Sequence, residues 1–260
     1  MIEANGSNRL NLEGMHRFMK AKENQDRAAT RVARNIVSDI QQRSLRPGAK
    51  LEPEHVMVEQ QGVARGTVRE ALRYLEFQGA LRIKAGPGGG PIVNVPGLDH
   101  LTSALSLQLQ FANATFRSVL DARASIYPVL VAEAARNADH QDIVAMHECL
   151  TQQYGLVEDS AAATKEARQF YELVAVASKN LVLGFLVNAL HRMSENATVA
   201  YSADHWRGSI KQAEKMLQAI ENGDAESAQA ISAKVHDTAI RYWEKNFPDL
   251  LNQPVSWVTS

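Results

Sequence analysis

Cysteine is all but absent: Cys149 is the single one in 260 residues. That excludes an internal disulfide framework and any zinc cluster built on cysteines. Long apolar runs are missing too. No stretch approaches the ~18 consecutive apolar residues that a membrane span needs. The opening MIEANGSNRLNLEG shows no signal-peptide pattern. A cytoplasmic protein with no membrane partner is the expectation. An excess of one charge is lacking as well, since 28 Lys and Arg face 29 Asp and Glu for a net −1. Taken whole, that argues against a nucleic-acid partner. The rest is ordinary: 45% hydrophobic and 22% charged residues exclude a disordered or fibrous chain. The length suits one large or two ordinary domains, each able to bury a core.

The charge balance dissolves when it is counted by segment. Up to Gly97 there are 15 Lys and Arg against 10 Asp and Glu, a net +5; from Leu98 onward there are 13 against 19, a net −6. A basic head on an acidic body points to nucleic acid for the head and another task for the body. We divide the chain into a flexible arm at 1–28, a DNA-binding domain with linker at 29–97, a helical domain at 98–247 and a tail at 248–260.

In the head, Val32, Ile36, Val37 and Ile40 lie on one helical face starting near Ala29. Arg46-Pro47-Gly48 breaks that helix. A second helix opens at Pro53 and ends at Gly62; after Gly62-Val63-Ala64 a third runs to about Phe77, burying Val68, Leu72 and Leu75. Two helices joined by a tight glycine turn are a helix-turn-helix candidate. Leu81-Arg82-Ile83-Lys84 and Ile92-Val93-Asn94-Val95 alternate as strands around a glycine-rich tip, the wing of such a domain. The tip has no Lys-Ser/Thr and no strand-loop-helix order, which sets a phosphate-binding loop aside. Arg65, Arg69 and Arg73 recur every four residues, a basic stripe opposite the buried face. Arginine suits both phosphates and the guanine edge in a major groove; the bland alternative is a solvated helix face.

Leu45-Arg46-Pro47-Gly48 … Glu54, then Val63-Ala64-Arg65-Gly66-Thr67-Val68-Arg69-Glu70-Ala71-Leu72-Arg73 … Gly79, resembles the winged helix-turn-helix of GntR-family transcription regulators over about residues 29–96. The resemblance implies DNA contacts from Arg65, Thr67 and Arg69, with Arg73 on the same stripe, His55 as a further basic position and Gly86 with the wing near the minor groove. The family's usual Val-Ser-Arg-Thr departs here at Ala64 and Gly66. Ala64 offers no N-cap oxygen, a loss of ~1 kcal/mol. Thr67 with Glu70 fits a capping box, so two starting points for the helix stay open, one with Arg65 on it and one with Arg65 in the turn.

Beyond Gly97 helical periods recur at 99–111, 115–137, 140–154, 161–178, 181–200, 205–221 and 224–246, an all-α bundle. The fold class is therefore mainly α, a winged helix-turn-helix followed by a helical bundle. No nucleophile–base–acid arrangement or metal-ligand string is recognisable, and no catalytic residue is assigned. Phe116, Leu120, Arg123, Tyr127, Leu130 and Ala134 form one stripe with a charge in its middle. Arg123 must meet a carboxylate such as Asp121, or else line a polar cavity.

Asp121-Ala122-Arg123 … Pro128, Phe170-Tyr171 … Ser178-Lys179-Asn180 and Leu217-Gln218-Ala219-Ile220 … Gly223-Asp224 together resemble the FCD-type effector domain of the FadR subgroup, over about 115–246. Many such domains hold a divalent metal through one Asp and three His. Carried over by position, these ligands fall on Ala167, Tyr171, Ala213 and Val235, so no metal and no cofactor is expected. The vacated positions leave either an enlarged cavity or a collapsed core. In the cavity reading Arg123, Tyr171 and His236 anchor the effector, a carboxylate or a larger metabolite. The resemblance implies a ligand-responsive regulator that binds a double-stranded DNA operator as a homodimer, and not an enzyme. Two rivals remain: a metal-dependent carboxylate sensor with ligands rebuilt from His191, His205 and His236, and an all-α small-molecule-binding protein or enzyme.

Overall fold

The computed structural model describes residues 26–86, 88–195 and 199–259. Most of the expected N-terminal arm, 1–25, lies outside them; residues 26–28, assigned to the arm, belong to the first helix. The chain divides into two compact units, the first ending at Gly97 and the second beginning at Leu98.

In the first unit, helix α1 is described over 26–42 and buries Ala29, Val32, Ala33 and Ile36. Helix α2 (Glu54–Gln61) ends on Gly62, whose φ of +62° is a left-handed cap that favours glycine. Helix α3 (Arg65–Phe77) buries Val68, Ala71, Leu72 and Leu75 against α1, Met57 and Leu81. Strands β1 (Leu81–Lys84) and β2 (Gly90–Val93) pair antiparallel with Leu81 opposite Val93 and Lys84 opposite Gly90. The second strand thus starts two residues earlier than its sequence pattern and stops at Val93. Segment 48–51 explains the shift, because Leu51 N donates to Pro91 O and Val93 N to Ala49 O, both at 2.9 Å. At the tip a side chain on Gly89 would stand 2.2 Å from the Lys84 carbonyl, so only glycine fits there.

The second unit is the expected bundle: α4 (Leu98–Phe111), α5 (Phe116–Asn137), α6 (His140–Gly155), α7 (Ser160–Ala177), α8 (Leu181–Ser194), α9 (Ala203–Glu221), α10 (Ala225–Asn246) and a short α11 (Pro248–Leu251). Asp139, Asp159, Asn180, Ser202 and Asp224 each cap the start of a helix with a side-chain oxygen. Helix α5 runs through the middle, its Tyr127, Leu130, Val131 and Ala134 buried against Phe170, Val187, Met216 and Leu217. Among the described residues no helix is long and apolar enough to cross a membrane.

One expectation is corrected here. Helix α8 stops at Ser194, not at 200: the Ser194 hydroxyl donates to the His191 carbonyl at 2.6 Å and Glu195 N reaches Arg192 O. Those bonds compete with continued helix. Residues 248–259, described from the segment expected as the tail, pack against the second unit. They form α11 and a strap in which Val255 N donates to Ala114 O, Phe116 N to Gln253 O, and Trp257 Nε1 to Ser103 Oγ.

Candidate functional site

The exposed face of α3 is the first candidate. Arg65, Arg69 and Arg73 all stand exposed, opposite the buried face. The helix begins at Arg65 with Ala64 as its N-cap and no capping side chain, so the later start through Thr67 and Glu70 is not taken. Thr67 is only 8% exposed. Its side chain lies on the inward face of α3, among its buried residues. Arg69 Nε donates to Glu54 Oε2 at 2.9 Å. An exposed pair of this kind adds little stability; it joins a residue of α3 to one of α2. His55 is exposed in the first turn of α2, and Gly86 is exposed at the wing tip with φ +89°. Arg82 and Lys84 of β1 are exposed too, so helix and wing offer basic groups from one small unit.

The second candidate lies inside the bundle. A cavity of about 590 Å³ opens between α5, α7, α8, α9 and α10, so the core has not collapsed around the small residues. Arg123, Tyr171 and His236 all line it, as do Ala167 and Val235, two of the positions where the family resemblance would place metal ligands. Ala213, the fourth such position, packs against the main core instead.

Arg123 is not paired with Asp121, which binds Arg117 at 2.8 Å. Its Nη1 donates to Ser194 Oγ at 2.7 Å and its Nη2 to His191 Nδ1 at 2.8 Å. Arg123 Nε is buried without a partner. The nearby acid, Glu195, is bound to Arg168 at 2.9 Å. The guanidinium is therefore held in the bundle by neutral hydrogen-bond partners, with no carboxylate in ion-pair contact among the described residues; Glu195 acts on it only at longer range. Burial lowers its pKa from the ordinary value.

The two imidazoles have defined proton positions. A guanidinium only donates, so His191 Nδ1 accepts and its proton sits on Nε2, which faces Glu195 Oε1 at 3.6 Å. His236 Nδ1 lies 2.9 Å from the Ser232 carbonyl and must donate there, leaving Nε2 as an acceptor. Burial first, and the Arg123 charge second, press His191 well below its usual pKa and His236 down to about 4. Both are neutral at pH 7. Burial raises Tyr171, keeping its hydroxyl protonated.

A divalent metal does not fit this site. Positions 167, 213 and 235 carry Ala, Ala and Val, without donor atoms. His191, His205 and His236 do line one cavity, yet the His191 lone pair accepts from Arg123 and His205 stacks on Tyr201 with centroids 4.3 Å apart. A fixed guanidinium beside the two other imidazoles repels a second cation. Among the described residues no three His, Cys, Asp or Glu side chains are grouped to hold a metal.

Sequence reasoning missed His191 and Ser194 as the groups that hold Arg123. The available signal was Val187, His191 and Ser194 at spacings of four and three on α8, one polar step on a buried face. The aromatic wall of the cavity was missed as well. Phe116 and Trp243 meet at 5.0 Å, and Tyr201 meets Trp206 at 5.3 Å, edge to face. Phe116, the Tyr201–Trp206 segment and Trp243 are far apart in sequence, so no local period reveals the wall.

Comparison with known proteins agrees with both halves. Residues 28–89 match the model of bacterial regulatory proteins of the gntR family, and residues 118–237 match the FCD domain. The chain is 24% identical to the HTH-type transcriptional regulator LutR of Bacillus subtilis over 219 residues, 80% of this chain and 99% of that one. It is 26% identical to the fatty acid metabolism regulator protein of Pasteurella multocida over 65% of this chain and 69% of the relative. A solved structure of Streptococcus agalactiae GntR shares the fold, with a TM-score of 0.64 at 18% identity, covering 82% of this chain and 99% of that one. A helix-turn-helix with an exposed arginine row, a wing and a hollow helical body thus has a family to match: the chain belongs to the GntR family of bacterial regulatory proteins, carries an FCD domain, and is a DNA-binding transcription regulator and not an enzyme.

Proposed function

We propose that this regulator binds a pseudo-palindromic operator as a homodimer and releases it when a small molecule enters the cavity of the second unit, with no metal taking part. The observation that carries this reading is the Arg123 guanidinium, lining a cavity and lacking a carboxylate partner. A buried charge without a counter-ion is costly, and an anionic effector relieves that cost. In the head, Arg65, Arg69 and Arg73 contact phosphates and base edges from the major groove, with Gly86 and the wing beside the minor groove and His55 a further phosphate contact. A two-fold dimer places its two α3 helices on half-sites about one helical turn apart. Repression relieved by the effector, acting in the cytoplasm, is the mode proposed.

A gel shift with DNA from upstream of the protein's own gene tests the reading. A shifted band that disappears on adding effector and returns on its removal supports it. A folded protein that shifts no upstream DNA even at low salt, where phosphate contacts are strongest, defeats it.

A further inference from the structure

Resting on the reading that the cavity holds an effector, we infer that this effector is an aromatic monocarboxylate. Its carboxylate sits on Arg123 and its ring lies among Phe116, Tyr201, Trp206 and Trp243. Charge sets the first half. The wall formed by α5 and α8 carries one unpaired cation, and both imidazoles beside it are neutral. One carboxylate balances that wall. Two of the five guanidinium N–H groups are engaged, by Ser194 and His191, and Nε has no partner. Donors therefore remain for a carboxylate, the planar anion that arginine matches best. A second anionic group placed nearby would meet Glu195, whose Oε1 is buried without a hydrogen bond. The other charged side chains on the lining, Asp204, Lys215 and Lys234, are all exposed. The site thus disfavours dicarboxylates.

The rings set the second half. Besides Phe116–Trp243 and Tyr201–Trp206, Tyr201 approaches Tyr242 at 5.9 Å and stacks on His205 at 4.3 Å with an interplanar angle of 18°. All of these side chains line the cavity. Such a wall offers both faces and edges, which favour a flat π system over an alkyl chain of equal area. Tyr201 also sits within electrostatic reach of Arg123, so the aromatic wall and the cation belong to one chamber. At about 590 Å³ its size falls within the roughly 300–1,000 Å³ of small-molecule pockets.

Tryptophan fluorescence of the full chain tests this directly. Trp206 and Trp243 line the cavity, whereas Trp257 is bonded to Ser103 on α4. The probes are 3-phenylpropionate, indole-3-acetate, 3-phenylpropionamide, 3-cyclohexylpropionate and glutarate. The two aromatic acids are expected to change the emission saturably, an effect reduced in Trp206→Phe and Trp243→Phe and kept in Trp257→Phe. The amide should bind at least about tenfold more weakly, from loss of the charge-assisted pair. The cyclohexyl acid should be several-fold weaker, and glutarate should give no signal. Arg123→Gln should abolish binding. Tyr201→Leu, which leaves the cation in place, should narrow the gap between the phenyl and cyclohexyl acids.

Equal binding of acid and amide, tighter binding of the cyclohexyl acid or glutarate, or no saturable signal up to about 10 mM, beyond millimolar affinity, overturns the inference. The two proposals fail separately. Aromatic acids that bind without changing DNA affinity overturn the regulatory reading alone. A non-aromatic metabolite that fills the cavity and releases DNA overturns the ligand class alone.

Discussion

Arg123 Nη2 stands 2.8 Å from His191 Nδ1, so a guanidinium inside the bundle is held by a neutral imidazole and not by a carboxylate. An internal ion pair would make Arg123 structural, and breaking a buried pair costs about 3–5 kcal/mol. With no pair to break, the expected result is different. Arg123→Met should change unfolding free energy in urea by less than about 1 kcal/mol, since the uncompensated charge leaves along with two hydrogen bonds. A loss of several kcal/mol would restore the structural role.

The buried imidazoles make stability depend on pH. His236 titrates at about 4 when folded, against an ordinary 6.5, chiefly through burial. As pH falls through 6.5 the unfolded chain takes up a proton that the folded chain refuses until about 4. The contribution is therefore fully present above 6.5 and is lost as pH falls toward 4. The whole shift corresponds to about 3 kcal/mol. His191 acts in the same direction. Melting temperatures between about pH 7 and 4.5 should fall less steeply for His236→Gln than for the parent; equal slopes would remove His236 from this account.

On α3, Arg69→Ala should weaken operator binding by more than about tenfold, the effect of losing one base or phosphate contact. Thr67→Ala should lower thermal stability and leave the affinity of the folded protein within about twofold, because Thr67 faces inward. Anisotropy titrations with labelled operator separate the two. A large affinity loss for Thr67→Ala in a folded protein would return that residue to the DNA surface.

The strap after α11 should be part of the second unit's stability. Ending the chain at Leu251 removes the backbone bonds to 114 and 116, those of Trp257 to Ser103 and Gln110 and of Val258 to Ser106, and the buried Val255. At about 1 kcal/mol net per bond, a loss of more than about 2 kcal/mol is expected in urea unfolding. An unchanged midpoint would mean that the strap is ornamental.

Much of this was legible in the sequence because it is periodic. The apolar rows of α1, α3 and α5 repeat every three or four residues, and a charge in such a row marks Arg123 as a residue needing a partner. The winged head was readable through its order of turn, helix and strands. What stayed hidden depends on chain segments distant in sequence. Ser194 and His191 reach Arg123 from 71 and 68 residues away. The strap reaches back more than 130 residues to α4 and Thr115. The end of α8 turns on a serine hydroxyl competing for a carbonyl, and Thr67 looked available because it follows the turn, although its position on α3 turns it inward.

The central claim joins the two halves of the chain, and one measurement addresses it. Anisotropy of labelled operator DNA is titrated with parent protein and with Arg123→Met, each with and without saturating effector. The account predicts that the effector weakens DNA binding at least about tenfold for the parent, a coupling of about 1.4 kcal/mol, while Arg123→Met binds DNA normally and ignores the effector. Equal affinities for the parent with and without an effector shown to occupy the cavity, or an undiminished response in Arg123→Met, would contradict it.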